Sequence, residues 1–275
     1  MNFPVIYLIV PAVISASSLL IRKRTLLYRG ILLALTFLLS SSAFILTLQN
    51  GGRYAQNLTG EKIYILGRSL TIQSTELPFI GFIYFVAFIW ILSTISREIN
   101  DYFPAICVFY CSLNIASYSI DPFLYSVLII FLANVMYLPV LSSSTNRQIS
   151  GRMRFLVFQL LSVFLILLAG WILAGGEIAP VNEDQLFFSS ILLGFGIALW
   201  LGAFPFHTWI PLLADEVSFL PFGFMMTMIP VSGVMMLLKF LNDFAWLREY
   251  SAFFLAIQYL GAFMIVLGSI GAFFQ

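Results

Sequence analysis

Charge is what this sequence has least of. Asp, Glu, Lys and Arg make up 9% of its 275 residues, where a soluble domain carries about 25%. That excludes an ordinary soluble globule. The net charge of +1 leaves no basic surface for nucleic acid. Histidine occurs once, as His207, and cysteine twice, as Cys107 and Cys111. So small a set of ligands does not complete a metal site. The cysteines stand at i, i+4, which puts their Cβ atoms about 5–6 Å apart on one helix face. A disulfide needs about 3.5–4.5 Å, so both are read as small apolar fillers. A membrane enzyme with its own catalytic site finds no support: there is no nucleophile–base pair, metal cluster or Gly-rich nucleotide loop. No cofactor is expected.

What is there is apolar. Hydrophobic residues make up 61% of the chain, and mean hydropathy is +1.02. A helix needs about 20 apolar residues to cross hydrocarbon. By that measure the chain is an all-α polytopic membrane protein of about nine spans, near 3–21, 30–48, 78–96, 103–120, 122–141, 154–174, 186–206, 219–239 and 252–274. The first stretch is followed by Arg22, Lys23 and Arg24. A signal peptide carries its basic residues first, so this stretch reads as a retained helix. The longest connection, 49–77, is polar and Gly-containing at its start. Its later part, YILGRSLTIQ, is β-branched enough for a short strand or hairpin outside the membrane.

Loop charges set the expected orientation. Arg22, Lys23, Arg24 and Arg29 follow the first span, and Arg147, Arg152 and Arg154 follow the fifth. The loop after the sixth carries only acids, Glu177, Glu183 and Asp184. The N-terminus is therefore placed outside, the basic loops inside, and Gln275 inside. The 49–77 loop opposes this assignment, since it falls outside with Arg53, Lys62 and Arg68.

Span interiors hold no Lys, Arg, Asp or Glu. Asn114, Asn134, Gln159 and several Ser and Thr are the polar groups at depth, read as interhelical hydrogen bonders. Met225, Met226, Met228, Met235 and Met236 mark the eighth span for adaptable packing against partner helices. The seventh span is the exception to regularity. Pro205 lacks an N–H and clashes with the preceding turn, so this helix is discontinuous near residue 201. Pro211 closes the break, His207 lies within it, and Asp215 and Glu216 follow. Freed backbone in a bilayer needs neighbouring helices or a wet cavity. A broken helix with an ionisable group is a usual pointer to an ion path, and histidine changes charge near neutral pH. The plainer alternative is a histidine that hydrogen-bonds backbone groups freed by Pro205. The acidic pair reads as loop acids at a helix start.

Pro205, His207, Trp209 and Pro211, with Glu216 at a commonly acidic place, resemble the pattern K-x-x-x-x-P-x-H-x-W-L-P-D-A-H-x-x-A-P. That pattern belongs to the antiporter-like subunits of respiratory complex I, membrane-bound hydrogenases and multisubunit cation/proton antiporters. Residues 101–141 look like the family's fourth and fifth helices, MRFLVFQLLSVFLILLAGWILAGG like its sixth, and AIQYLGAFMIVLGSIGAFFQ like its ninth. The resemblance implies about fourteen helices with two inverted five-helix repeats, each containing one broken helix. Within a single transmembrane domain, residues 1–100 would be three leading helices and 101–240 the first repeat. Residues 250–275 would open a second repeat whose remainder is absent, either supplied by another polypeptide or lost in a shortened form.

The departures from that family carry the functional expectation. Ile130 stands at its fifth-helix glutamate, Trp200 at its seventh-helix lysine, and Val231 at its eighth-helix lysine. Leu212 and Ala214 replace its Asp and second His. An indole N–H donates but does not titrate. The resemblance thus implies an accessory or degenerate subunit of a complex I-like or ion-translocating assembly, mainly structural, in an energy-transducing membrane with other integral subunits as partners. The alternative is the working half of a split proton or cation translocator, in which His207, Asp215 and Glu216 join titratable groups on another chain.

Overall fold

The computed structural model describes residues 5–49, 62–65, 67–95, 101–122, 124–141, 150–175, 183–243 and 251–274. Arg53, Arg147, Glu177 and Gln275, which bear on the orientation argument, lie outside the described residues. The chain is an all-α membrane protein, and the described residues include one small sheet. A π-turn at Val5–Ile9 leads into α1 (Val10–Ser18), a 3-10 turn (Leu19–Ile21) and α2 (Thr25–Gln49). Strands β1 (Ile63–Ile65) and β2 (Arg68–Leu70) come next, then α3 (Leu77–Leu92), α4 (Phe103–Ser119), β3 (Ile120–Asp121) and α5 (Leu124–Tyr137). The remainder is α6 (Ser150–Gly175), α7 (Glu183–Leu201), α8 (Trp209–Glu216), α9 (Phe219–Asp243) and α10 (Ser251–Phe274). Among the described residues, five segments are long and apolar enough to cross a membrane: Thr25–Leu48, Ser74–Leu92, Ser150–Leu173, Phe187–Glu216 and Phe219–Asp243. Val5–Ile21, Phe103–Ser119, Leu124–Tyr137 and Ile257–Ile270 are shorter apolar helical stretches.

The hairpin forms where the β-branched run placed it. Tyr64 pairs with Ser69 across β1 and β2, and Gly67 takes φ +74° in the turn, a conformation that costs an L side chain strain. β2 then pairs with β3, Leu70 opposite Ile120. Arg68 donates to the Tyr125 hydroxyl and lies over its ring, which fastens the hairpin to the start of α5.

The chain divides into two compact units. The first comprises residues 1–146 and 217–228, the second 147–216 and 229–275. In the first, Phe224 is the hub of an aromatic core, with ring centroids 5.5 Å from Tyr137, 5.7 Å from Tyr110 and 6.2 Å from Phe103. Gly223 is required there, because a Cβ would lie 2.3 Å from the Trp90 ring. Asn134 accepts from the Tyr110 hydroxyl at 2.8 Å, an α4–α5 bond of the expected kind. Asn114 departs from expectation: its amide donates to the Tyr110 carbonyl one turn back in its own helix. Short polar side chains in a helix commonly take this local acceptor. Cys107 and Cys111 are buried free thiols.

The first unit also contains an irregularity that the sequence reading missed. Pro11 has no N–H to offer the Tyr7 carbonyl four residues earlier. The Tyr84 hydroxyl donates to that carbonyl at 2.6 Å, and Ser112 donates to the Leu8 carbonyl at 2.6 Å. Tyr84 on α3 thus supplies the donor that Pro11 lacks, and Ser112 on α4 adds a bond to the next carbonyl.

Of the five methionines of α9, Met225, Met228, Met235 and Met236 are buried within the chain. They pack on this chain's own helices, which corrects the expectation that they face a partner.

Candidate functional site

The seventh span is broken, and glycine ends its first half. Gly202 adopts φ +65°. Its N–H donates to the Leu199 carbonyl at 3.3 Å, and the Ala203 N–H to the Ala198 carbonyl at 2.8 Å. These two bonds form a Schellman motif. A Cβ on residue 202 would sit 3.0 Å from Ile210 Cδ1 and 3.1 Å from Trp209 Nε1. Pro205 lies beyond this stop, and the Phe206 N–H turns back to the Ala203 carbonyl at 2.6 Å. A 3-10 turn, Phe206–Thr208, leads into α8. Pro211 falls in the first turn of α8, where a missing N–H costs no intrahelical bond. A Gly after an apolar run with Pro three residues later is a helix-stop signal. Attention to Pro205 alone passed over Gly202.

Helix α6 supplies the polar groups that the break needs. Gln159 donates to the Trp200 carbonyl at 3.1 Å, and Ser162 to the Gly196 carbonyl at 2.6 Å. Gly196 permits this approach, since a Cβ there would be 2.6 Å from Ile166 Cγ1. The reading of Gln159 as an interhelical bonder therefore holds. The alternative in which His207 satisfies the freed backbone does not. His207 is exposed, its ring is stacked on Phe204 at 5.7 Å, and its side chain makes no hydrogen bond among the described residues. The carbonyl left free at the end of α7 points toward α6, and Gln159 meets it there. Phe204 in turn touches α10, donating its N–H to Met264 Sδ at 3.0 Å and meeting Phe263 edge-on at 5.8 Å.

Ring contacts give the level of the break along α6. Phe206 lies 6.2 Å from Phe158, and Trp209 lies 5.1 Å from Phe155. His207 is bracketed by these levels. At 1.5 Å per residue that is within about one helical turn of Arg154, whereas α6 continues for roughly 30 Å beyond it. The break thus sits toward the basic end of α6. Its inner side is enclosed by Gly202, Ala203 and Trp209, all buried, while Phe204, Pro205, His207 and Thr208 are exposed.

Asp215 and Glu216 close α8 and do not lie in a loop. Leu212, Leu213 and Ala214 carry the helix to them, because α8 packs closely on the first turn of α6. A Cβ on Gly151 would be 2.7 Å from the Leu212 and Leu213 backbone. Glu216, 5% exposed, accepts from Ser150 Oγ at 2.9 Å, Gly151 N–H at 2.7 Å and Arg152 N–H at 3.2 Å. The Arg152 guanidinium stands 3.7 Å away. Its carboxylate caps the N-terminus of α6, where the dipole and free N–H groups favour an anion. Asp215 is exposed. Among the described residues no ion pair joins His207 to either acid.

Of the three apolar residues singled out in the sequence, two are buried and one is half-buried. Ile130 is buried on α5 in the first unit, and Val231 is half-buried on α9 in the second. Trp200 is 0% exposed. Its ring edge and Leu201 lie against Gly233, where a Cβ would be 3.3 Å from Trp200 Cδ1 and 2.8 Å from Leu201 Cδ2. The indole N–H groups of Trp200 and Trp209 are buried without a hydrogen-bond acceptor among the described residues. No protein-family profile, curated protein or solved structure matches the chain.

Proposed function

We propose that this protein is an accessory, antiporter-like subunit of a complex I-like or ion-translocating membrane assembly, structural in role and not itself a proton pump. The observation that carries the reading is Trp200. At the place where the resembling family has a lysine, this chain packs an indole, and an indole cannot exchange protons. Ile130 and Val231 extend the same replacement to the other two ionisable positions. Glu216 is occupied in capping α6, and His207 is one group at one end of the helix. A single titratable side chain without a relay does not carry protons across about 30 Å of hydrocarbon.

In this reading the partners are other integral subunits of an energy-transducing membrane, the N-terminus lies outside, and the basic loops lie inside. The exposed face of the break supports a protein neighbour, because irregular backbone at membrane depth needs protein or water beside it. The test is the ions-per-electron ratio of the assembled complex in reconstituted vesicles, wild type against His207→Ala, normalised to complex. An unchanged ratio with lower assembly is expected. A reduced ratio at unchanged electron transfer would overturn the non-pumping role and favour the working half of a split translocator.

A further inference from the structure

Four arginines among the described residues are committed to the protein. Arg22 donates to the Tyr102 hydroxyl and lies 4.7 Å over its ring. Arg29 donates to the Thr94 carbonyl at 2.6 Å. Arg68 is held by Tyr125, and Arg152 faces Glu216. Lys23 and Arg24 differ from these. They are adjacent and exposed, and among the described residues neither pairs with an acid. They occupy the turn between the 3-10 turn Leu19–Ile21 and α2. Leu20 and Leu26 flank them at 87% and 82% exposure.

We propose that the Lys23–Arg24 turn binds the headgroup phosphate of an anionic phospholipid, with Leu20 and Leu26 in the acyl layer. The turn joins two apolar helices of a membrane protein, so it lies at a bilayer surface. Two nearly bare leucines there leave water by entering the acyl layer, and the long cationic side chains beside them reach back to the phosphates. An anionic lipid offers both chemistries within the few residues that separate Leu20 from Leu26. Because Tyr102 fixes Arg22, the free pair is presented from an anchored turn. Two surface cations beside an anionic leaflet are worth roughly thirtyfold in affinity.

The test is native mass spectrometry of the full chain, with any integral partners that co-purify, titrated with phosphatidylglycerol or phosphatidylcholine. Thermal unfolding of the same samples confirms that each variant is folded. Wild type should bind phosphatidylglycerol in preference. Lys23→Gln/Arg24→Gln should weaken that binding about thirtyfold, while the charge-keeping Lys23→Arg/Arg24→Lys retains it. Arg154→Gln, another exposed cation, should leave it unchanged. Equal phosphatidylglycerol binding by the double Gln variant would overturn the proposal. So would phosphatidylcholine binding as tight as phosphatidylglycerol binding in wild type.

Discussion

Gln159 on α6 donates its side-chain amide to the Trp200 carbonyl on α7 at 3.1 Å. That carbonyl lies in the last turn of α7, where no following N–H continues the helix. One side chain therefore joins the break to the neighbouring helix.

Gln159→Leu keeps volume and removes the donor. It leaves a buried carbonyl without this bond, which costs about 1–3 kcal/mol. The variant should unfold at lower temperature than wild type in detergent. Leu160→Ala on the exposed side of the same helix should change little. Equal loss in both variants would show that the Gln159 bond contributes nothing particular.

Gly202→Ala tests how α7 stops. The left-handed conformation costs an L residue about 1–2 kcal/mol, and the new methyl would press on Ile210 and Trp209. Gly194→Ala is the control, since a Cβ there meets nothing within 4 Å and alanine favours the helix. The first should lower the unfolding midpoint and the second should hold or raise it.

Much of this was legible in the residues. Proline and the apolar run announced a broken seventh helix, and the β-branched run at 64–73 announced a short strand or hairpin. The partners of freed backbone were harder to read. Gln159 and Trp200 are far apart in sequence, and nothing in either local pattern pairs them. Tyr84 and Tyr7 are likewise joined only through packing. The acidic pair was misplaced because a helical α8 after Pro205 and through Pro211 rests on Gly151 admitting its backbone against α6, a tertiary effect.

Glu216→Ala should be more damaging than Asp215→Ala. Glu216 holds three donors and faces Arg152, and hydrogen bonds to charged groups contribute about 1.5–3 kcal/mol. Asp215 is exposed, so its loss should fall within about 0.5 kcal/mol. Glu216→Gln should be intermediate, since it keeps one oxygen acceptor but sets an NH2 group against N–H donors. Paired thermal melts of the three variants check the order. Equal effects at 215 and 216 would remove Glu216 from its capping role.

Trp200 offers the sharpest test of the proposed non-pumping role. Its N–H has no acceptor among the described residues, so Trp200→Phe gives up no hydrogen bond. Only volume is lost, and a partial ring loss should cost about 1–2 kcal/mol against the 3–5 kcal/mol typical of removing the whole aromatic side chain. Trp200→Lys restores the residue of the resembling pattern but not its setting. The site is 0% exposed, and an unpaired charge buried there costs several kcal/mol. Trp200→Lys should therefore fail to accumulate in the membrane, while Trp200→Phe accumulates near the wild-type level. The measurement is folded protein per membrane, by fluorescence-detected gel filtration of detergent extracts. If Trp200→Lys accumulated normally and raised the ions-per-electron ratio, the site would still be wired for a proton carrier, and the proposed structural role would be wrong.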